Sequence, residues 1–101
     1  AVSQKNVGID AEYPRRVRGS AAERVCTPAE LRDIQSSPNP AARFLTYWTL
    51  KESISKCRGT GLSESFQNYE ITFQNGMPHF NGYTLFFGQY GVHFLAAAEE
   101  A

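Results

Sequence analysis

The sequence predicts an α+β fold, with helices first and an antiparallel sheet second. Three observations carry that prediction. Two proline-led helix starts follow one another at Thr27-Pro28 and Asn39-Pro40; the apolar period then switches from near four to two after Gly59-Thr60-Gly61; and Asn75-Gly76 and Asn81-Gly82 punctuate aromatic runs as tight-turn dipeptides. Two N-terminal helices, about 28–36 and 40–58, are expected to pack on a C-terminal antiparallel meander of three or four strands at about 65–95. With 101 residues, 42% of them hydrophobic and 13% aromatic, the chain can fill one core but not two. That core is expected over residues 25–101, leaving residues 1–24 as an extended N-terminal arm.

The arm shows neither a helical nor a strand period, because Val2, Val7, Ile9, Tyr13 and Val17 are scattered among Gly8, Pro14 and Gly19. Such a segment needs a surface to lie on. Its arginines, Arg15, Arg16 and Arg18, stand beside Tyr13 and close to Asp10, Glu12 and Glu23, so they read as an ion-pairing anchor. Tyr13, Arg15, Arg16, Arg18 and Tyr90 are therefore the candidate partner-binding residues.

The first helix opens with Thr27 as N-cap, Pro28 at its first position and Glu30 placed to close a capping box. Ser36-Ser37-Pro38 ends it, since the residue before a proline is pushed out of the α region. The main helix carries Phe44, Tyr47, Leu50, Ile54 and Cys57 on one face, widened by Leu45 and Trp48. Lys51, Glu52, Ser55 and Lys56 are expected on its polar side, with Gly59 as the left-handed terminator.

Beyond the break, Tyr69, Ile71 and Phe73 alternate with Glu70 and Thr72, the pattern of a strand buried on one face. The nearly all-apolar run Tyr83 to Phe87 suggests a central strand covered on both faces. Gly88 and Gly91 bracket a further turn before Val92-His93-Phe94-Leu95, and Ala96 to Ala101 reads as a frayed tail or a last helical turn.

The two cysteines, Cys26 and Cys57, form one even pair with no ligand cluster competing for them, so a disulfide between the two helices is expected. Closing a loop of about thirty residues would contribute roughly 3–4 kcal/mol. A disulfide implies an oxidising compartment, whether an organelle lumen, an intermembrane space or the exterior of the cell. The start at Ala1 reads as that of a processed product.

Ten basic and ten acidic residues cancel, so no global field attracts nucleic acid, and no specific nucleic-acid binding is expected. No apolar run is long enough to span a bilayer, although peripheral proximity to a membrane is compatible with the composition. No spacing suits a metal, and no cofactor is predicted. An axial histidine leaves almost no sequence signature, which makes His93, beside Phe94 and Leu95 in sequence, a candidate contact for haem or another pigment. His79 and His93, with Glu64 or Glu70, are the candidates for proton transfer.

These features favour a non-catalytic accessory or structural subunit that docks on a larger protein assembly through its arm and aromatic sheet. A small secreted effector or toxin is the alternative. A ribonuclease-like hydrolase using His79 or His93 comes third.

Overall fold

The computed structural model describes residues 6–14, 19–59 and 65–101. Its elements are β1 (Val7–Glu12), α1 (Gly19–Val25), α2 (Pro28–Ser36), α3 (Pro40–Arg58), a 3₁₀ turn (Phe66–Asn68), β2 (Thr72–Gln74), β3 (Met77–His79), β4 (Tyr83–Tyr90) and β5 (His93–Glu100). All strand pairs are antiparallel. The fold is α+β, with the two expected helices and the Asn75-Gly76 and Asn81-Gly82 turns in place, whereas Gly88 lies inside β4 and the last turn falls at Gly91-Val92.

Both helix starts form as their sequences dictate. Thr27 accepts from the Glu30 backbone N–H at 3.3 Å while Glu30 Oε1 accepts from the Thr27 N–H at 2.8 Å, closing the capping box. Asn39 caps α3 by accepting from the Ala42 N–H at 3.2 Å, and Gly59 ends it at φ 72° with its N–H on the Ser55 carbonyl. The Asn75-Gly76 turn places both residues at positive φ, 52° and 77°, and joins β2 to β3 as a hairpin.

The sheet differs from the expected meander. Its order is β1-β5-β4, while β2 and β3 form a separate two-stranded ribbon. The segment over 7–12 is extended as expected, but it pairs with β5 of its own chain, Ile9 opposite Ala97 and Glu12 opposite Phe94. Residues 19–25 add a helix that the scattered sequence pattern did not reveal. Strand β4, containing Tyr83 to Phe87, is an edge strand, because β1 takes the far side of β5; Phe86 on its outer face is 56% exposed.

Residues 96–100 belong to the central strand rather than to a frayed tail. Ala96 and Ala98 are buried beneath α3, where small side chains let a helix approach the sheet, and tertiary packing overrides the low strand propensity of alanine. Helix α3 is buried on more than its expected apolar face. Lys51, Ser53 and Ser55 are inside together with Leu50 and Ile54. The Thr46, Thr49 and Ser53 hydroxyls donate to carbonyls of the preceding turn, which lets them be buried without loss of partners.

A relay of ring contacts, Phe44–Trp48–Phe66–Tyr69–Phe80–Tyr83, runs from α3 through the 3₁₀ turn to β4 with centroids 5.4–6.3 Å apart. Many of the aromatics therefore hold the fold together instead of waiting for a partner. No described helix is long and apolar enough to cross a membrane.

Candidate active site

Strand alternation and helix period meet where β1 lies against α3. On β1, Gly8 and Asp10 are buried and Glu12 is half-buried, while Val7 and Ile9 face out. On α3, Trp48, Glu52 and Lys56 follow at steps of four and form one stripe. The strand can lie this close because residue 8 has no side chain: a Cβ there would overlap the backbone Ser53 O and Cys57 N of α3.

The two rows interlock. The Trp48 indole N–H donates to Glu12 Oε1 at 3.2 Å, and the Lys56 ammonium donates to Asp10 Oδ1 at 2.7 Å. Asp10 is nearly enclosed, with 7% of its side chain exposed, whereas Lys56 is 52% exposed. The second carboxylate oxygen of Asp10, Oδ2, is buried with no hydrogen-bond partner. The hydrogen bond to Asp10, together with the charges of Asp10, Glu52 and Glu12, holds the Lys56 pKa above its ordinary value despite partial burial. Three carboxylates thus act on one ammonium, and one carboxylate oxygen is left over.

The residue before Glu52 fixes the rotation of the helix. Lys51 is fully buried, its ammonium 2.7 Å from Glu30 Oε1 and 2.8 Å from the Phe66 carbonyl. Glu30 Oε2 accepts from the Ile71 N–H at 2.8 Å, so this carboxylate ties the start of α2, the middle of α3 and the approach to β2. Lys51 is therefore a buried structural cation, contrary to its expected place on the polar face.

The other candidate residues are dispersed. His79 and Glu70 line one cavity of about 510 Å³ with Thr72, Phe80 and Tyr83, and Glu70 is engaged by the Thr27 hydroxyl at 2.7 Å. His93 is exposed at the start of β5, its ring 6.5 Å from that of Tyr13, so it is not embedded among the apolar residues that suggested a pigment contact. Tyr13 and Tyr90 are exposed, at 59% and 66%. Arg15, Arg16, Arg18 and Glu64 lie outside the described residues.

Cys26 and Cys57 are both free and buried, which corrects the expected disulfide. Cys57 faces β1, its thiol donating to the Asn6 carbonyl at 3.1 Å, while Cys26 precedes the α2 cap, within reach of the charges of the Lys51–Glu30 pair. Burial first, then the Glu30 charge, pushes the Cys26 thiol up to about 11, against the opposing charge of Lys51. The ground for an oxidising compartment goes with the disulfide.

Among the described residues, no group of three His, Cys, Asp or Glu side chains stands close enough to hold a metal by itself. The site residues Asp10, Glu12, Glu52 and Lys56 were not among the sequence candidates. Their signal was the alternation Gly8-x-Asp10-x-Glu12 and the four-residue spacing Trp48, Glu52, Lys56, each of which gains meaning only once the arm is seen as a strand against α3.

This frame defines the class. The model of the ACPS family, the 4'-phosphopantetheinyl transferase superfamily, matches residues 6–97, from before β1 into β5. The chain belongs to that superfamily. It is 35% identical over 83 residues to fatty acid synthase subunit alpha of Candida parapsilosis, a match that covers 75% of this chain and 4% of that much longer protein. Holo-[acyl-carrier-protein] synthase of Thermotoga maritima superposes with TM-score 0.83 at 26% identity, covering 96% of this chain and 64% of that one. The Neisseria meningitidis holo-[acyl-carrier-protein] synthase shares the fold, with TM-score 0.83 at 22% identity over 95% of this chain and 97% of that one. So does the Helicobacter pylori enzyme, solved in complex with coenzyme A, with TM-score 0.75 at 15% identity over 94% and 99% of the two chains. Membership of a transferase superfamily overturns the reading as a non-catalytic accessory subunit, and with it the secreted-effector and hydrolase alternatives.

Proposed function

We propose that this chain transfers a 4'-phosphopantetheinyl group from coenzyme A to a hydroxyl of a carrier protein, and that the transfer takes place on the face shared by β1 and α3. The observation that carries the reading is the buried Asp10 carboxylate, with one oxygen on Lys56 and the other without a partner, in a chain of this superfamily. Coenzyme A in the Helicobacter pylori enzyme of the same fold supports the donor. The likeness to the Thermotoga maritima holo-[acyl-carrier-protein] synthase supports an acyl carrier protein as acceptor, the protein partner of the reaction. In the transfer, the acceptor oxygen forms a bond to the phosphorus that carries pantetheine. The bond from that phosphorus to the bridging oxygen breaks, 3',5'-ADP leaves, and the hydroxyl proton passes to solvent.

A diphosphate brings further negative charge to a face that already holds Asp10, Glu12 and Glu52. A hard divalent cation would remove that conflict, since Mg²⁺ is typically held by one or two carboxylates together with waters and substrate phosphates. Asp10 and Glu52 are the residues that would hold it, and the unpartnered Asp10 Oδ2 suits such an ion. When bound, it would draw charge from the phosphate oxygens. The protein's own part is positional: Trp48 fixes Glu12, Gly8 lets α3 close on β1, and the Lys51–Glu30 pair sets the rotation that brings Glu52 to this face. Incubating the purified chain with coenzyme A, Mg²⁺ and an apo acyl carrier protein should add one phosphopantetheine to the carrier by mass spectrometry. Glu52→Gln should abolish the gain, and full transfer by that variant would refute this site.

A further inference from the structure

The Asp10–Lys56 contact has the form of a substitution. Where the proposed site calls for a cation against Asp10, the structure puts an ammonium, 2.7 Å from Oδ1, on a long side chain that is half in solvent and able to swing away. The carboxylate cannot do the same, being nearly enclosed on a strand that is paired along its length with β5. Asp10 Oδ2 is buried, unpartnered and on the same face, so the carboxylate is neutralised at one oxygen and unsatisfied at the other.

We propose that Lys56 is a place-holding counter-ion, whose ammonium competes with a divalent cation for the Asp10 carboxylate and is displaced when that cation binds. The proposal rests on the reading of Asp10 and Glu52 as cation ligands. Its physical basis is electrostatic. Without the cation, Asp10, Glu12 and Glu52 would repel one another across the interface, and the ammonium, 2.7 Å from Asp10 Oδ1, offsets that repulsion. With the cation present, an ammonium on the same carboxylate would be a like charge at close range. Occupancy of the site would then be coupled to the release of a lysine at its mouth.

Direct Mn²⁺ titration by calorimetry, without coenzyme A or carrier protein, tests this, with the fluorescence of Trp48, the single tryptophan, as a second readout of the Glu12 environment. Lys56→Gln should bind Mn²⁺ roughly tenfold or more tightly than the unaltered chain, whereas Lys56→Arg, which keeps the charge, should stay within about threefold. Equal or weaker binding by Lys56→Gln overturns the place-holder but leaves the cation site standing. Absence of binding at millimolar Mn²⁺ in both chains, or unchanged binding by Asp10→Asn, overturns the cation site and the place-holder together. If Lys56→Gln does not fold, the Nζ resonance of Lys56 in the unaltered chain decides. It should move on saturation with Mg²⁺, and an unmoved resonance overturns the proposal.

Discussion

Lys51 and Glu30 meet as an ion pair at 2.7 Å with side chains 0% and 1% exposed, one residue before Glu52. The geometry supplies what such a pair needs in order to persist, because the Thr27 N–H, the Ile71 N–H and the Phe66 carbonyl complete its hydrogen bonds. Removing one partner leaves a charge in the core. Lys51→Met should therefore cost about 3–5 kcal/mol in urea unfolding. Replacing both charged groups should cost less than the sum of the two single changes. A loss below about 1 kcal/mol for Lys51→Met would show that the pair does not organise the core.

Asp10 presents the opposite balance of stability and function. Its partner Lys56 is 52% exposed, so their attraction is screened and contributes little to folding. Asp10→Asn should keep thermal stability within about 1 kcal/mol while reducing phosphopantetheinyl transfer by about a hundredfold or more. Parallel melting curves and carrier-protein mass spectra measure the two effects. Equal losses in both would mark Asp10 as a folding residue.

The helical half of the fold was legible because its signals are local. Thr27, Pro28 and Glu30 spell a cap within four residues, and Asn39-Pro40 and Gly59 bound α3 within a residue of its observed ends. The alternation of Tyr69 and Ile71 against Glu70 also matched burial, although the strand itself spans only Thr72–Gln74. The site was illegible for the complementary reason. It depends on pairing the two ends of the chain, β1 on β5, and no local pattern announces that Val7–Glu12 has a partner among alanines that read as a tail. The even cysteine count misled because parity says nothing of direction: the Cys57 thiol turns to the Asn6 carbonyl beside β1, and Cys26 lies within reach of the Lys51–Glu30 pair.

The free thiols give a pH signature. Burial and Glu30 raise Cys26 from 9.0 to about 11, so between those values the unfolded chain has lost a proton that the folded chain keeps. Stability should be unaffected by this group below pH 9 and should fall as pH rises toward 11, by at most about 1.4 kcal/mol per unit. Lys56, with its pKa raised, adds a loss in the same direction only above the ordinary lysine range, at 10.5 and beyond. Cys57, whose pKa burial also holds above 9.0, adds a loss of the same sign, so Cys26→Ala should reduce but not abolish the slope of a urea-midpoint profile from pH 9 to 10. A reductant should leave the midpoint at pH 7 unchanged, and a drop on reduction would restore the disulfide.

Gly8 is where the architecture of the site is most exposed to a single methyl group. Its place is set by backbone atoms of α3, Ser53 O and Cys57 N, which cannot rotate aside as a side chain could. Gly8→Ala must therefore push β1 from α3 as a unit, straining the register with β5 and separating Trp48 from Glu12 and Lys56 from Asp10. The expected cost is about 1–3 kcal/mol in unfolding free energy, the range for overpacking a closed interface. Because Trp48 is the single tryptophan, the native-state emission should shift as its hydrogen bond to Glu12 is lost. Transfer should fall further than stability does, since a displacement of about 1 Å at positioned groups can cost about a hundredfold in rate. A Gly8→Ala chain with unaltered emission and activity would mean that β1 and α3 can separate without disturbing the site, and the tight approach at Gly8 would lose its catalytic meaning.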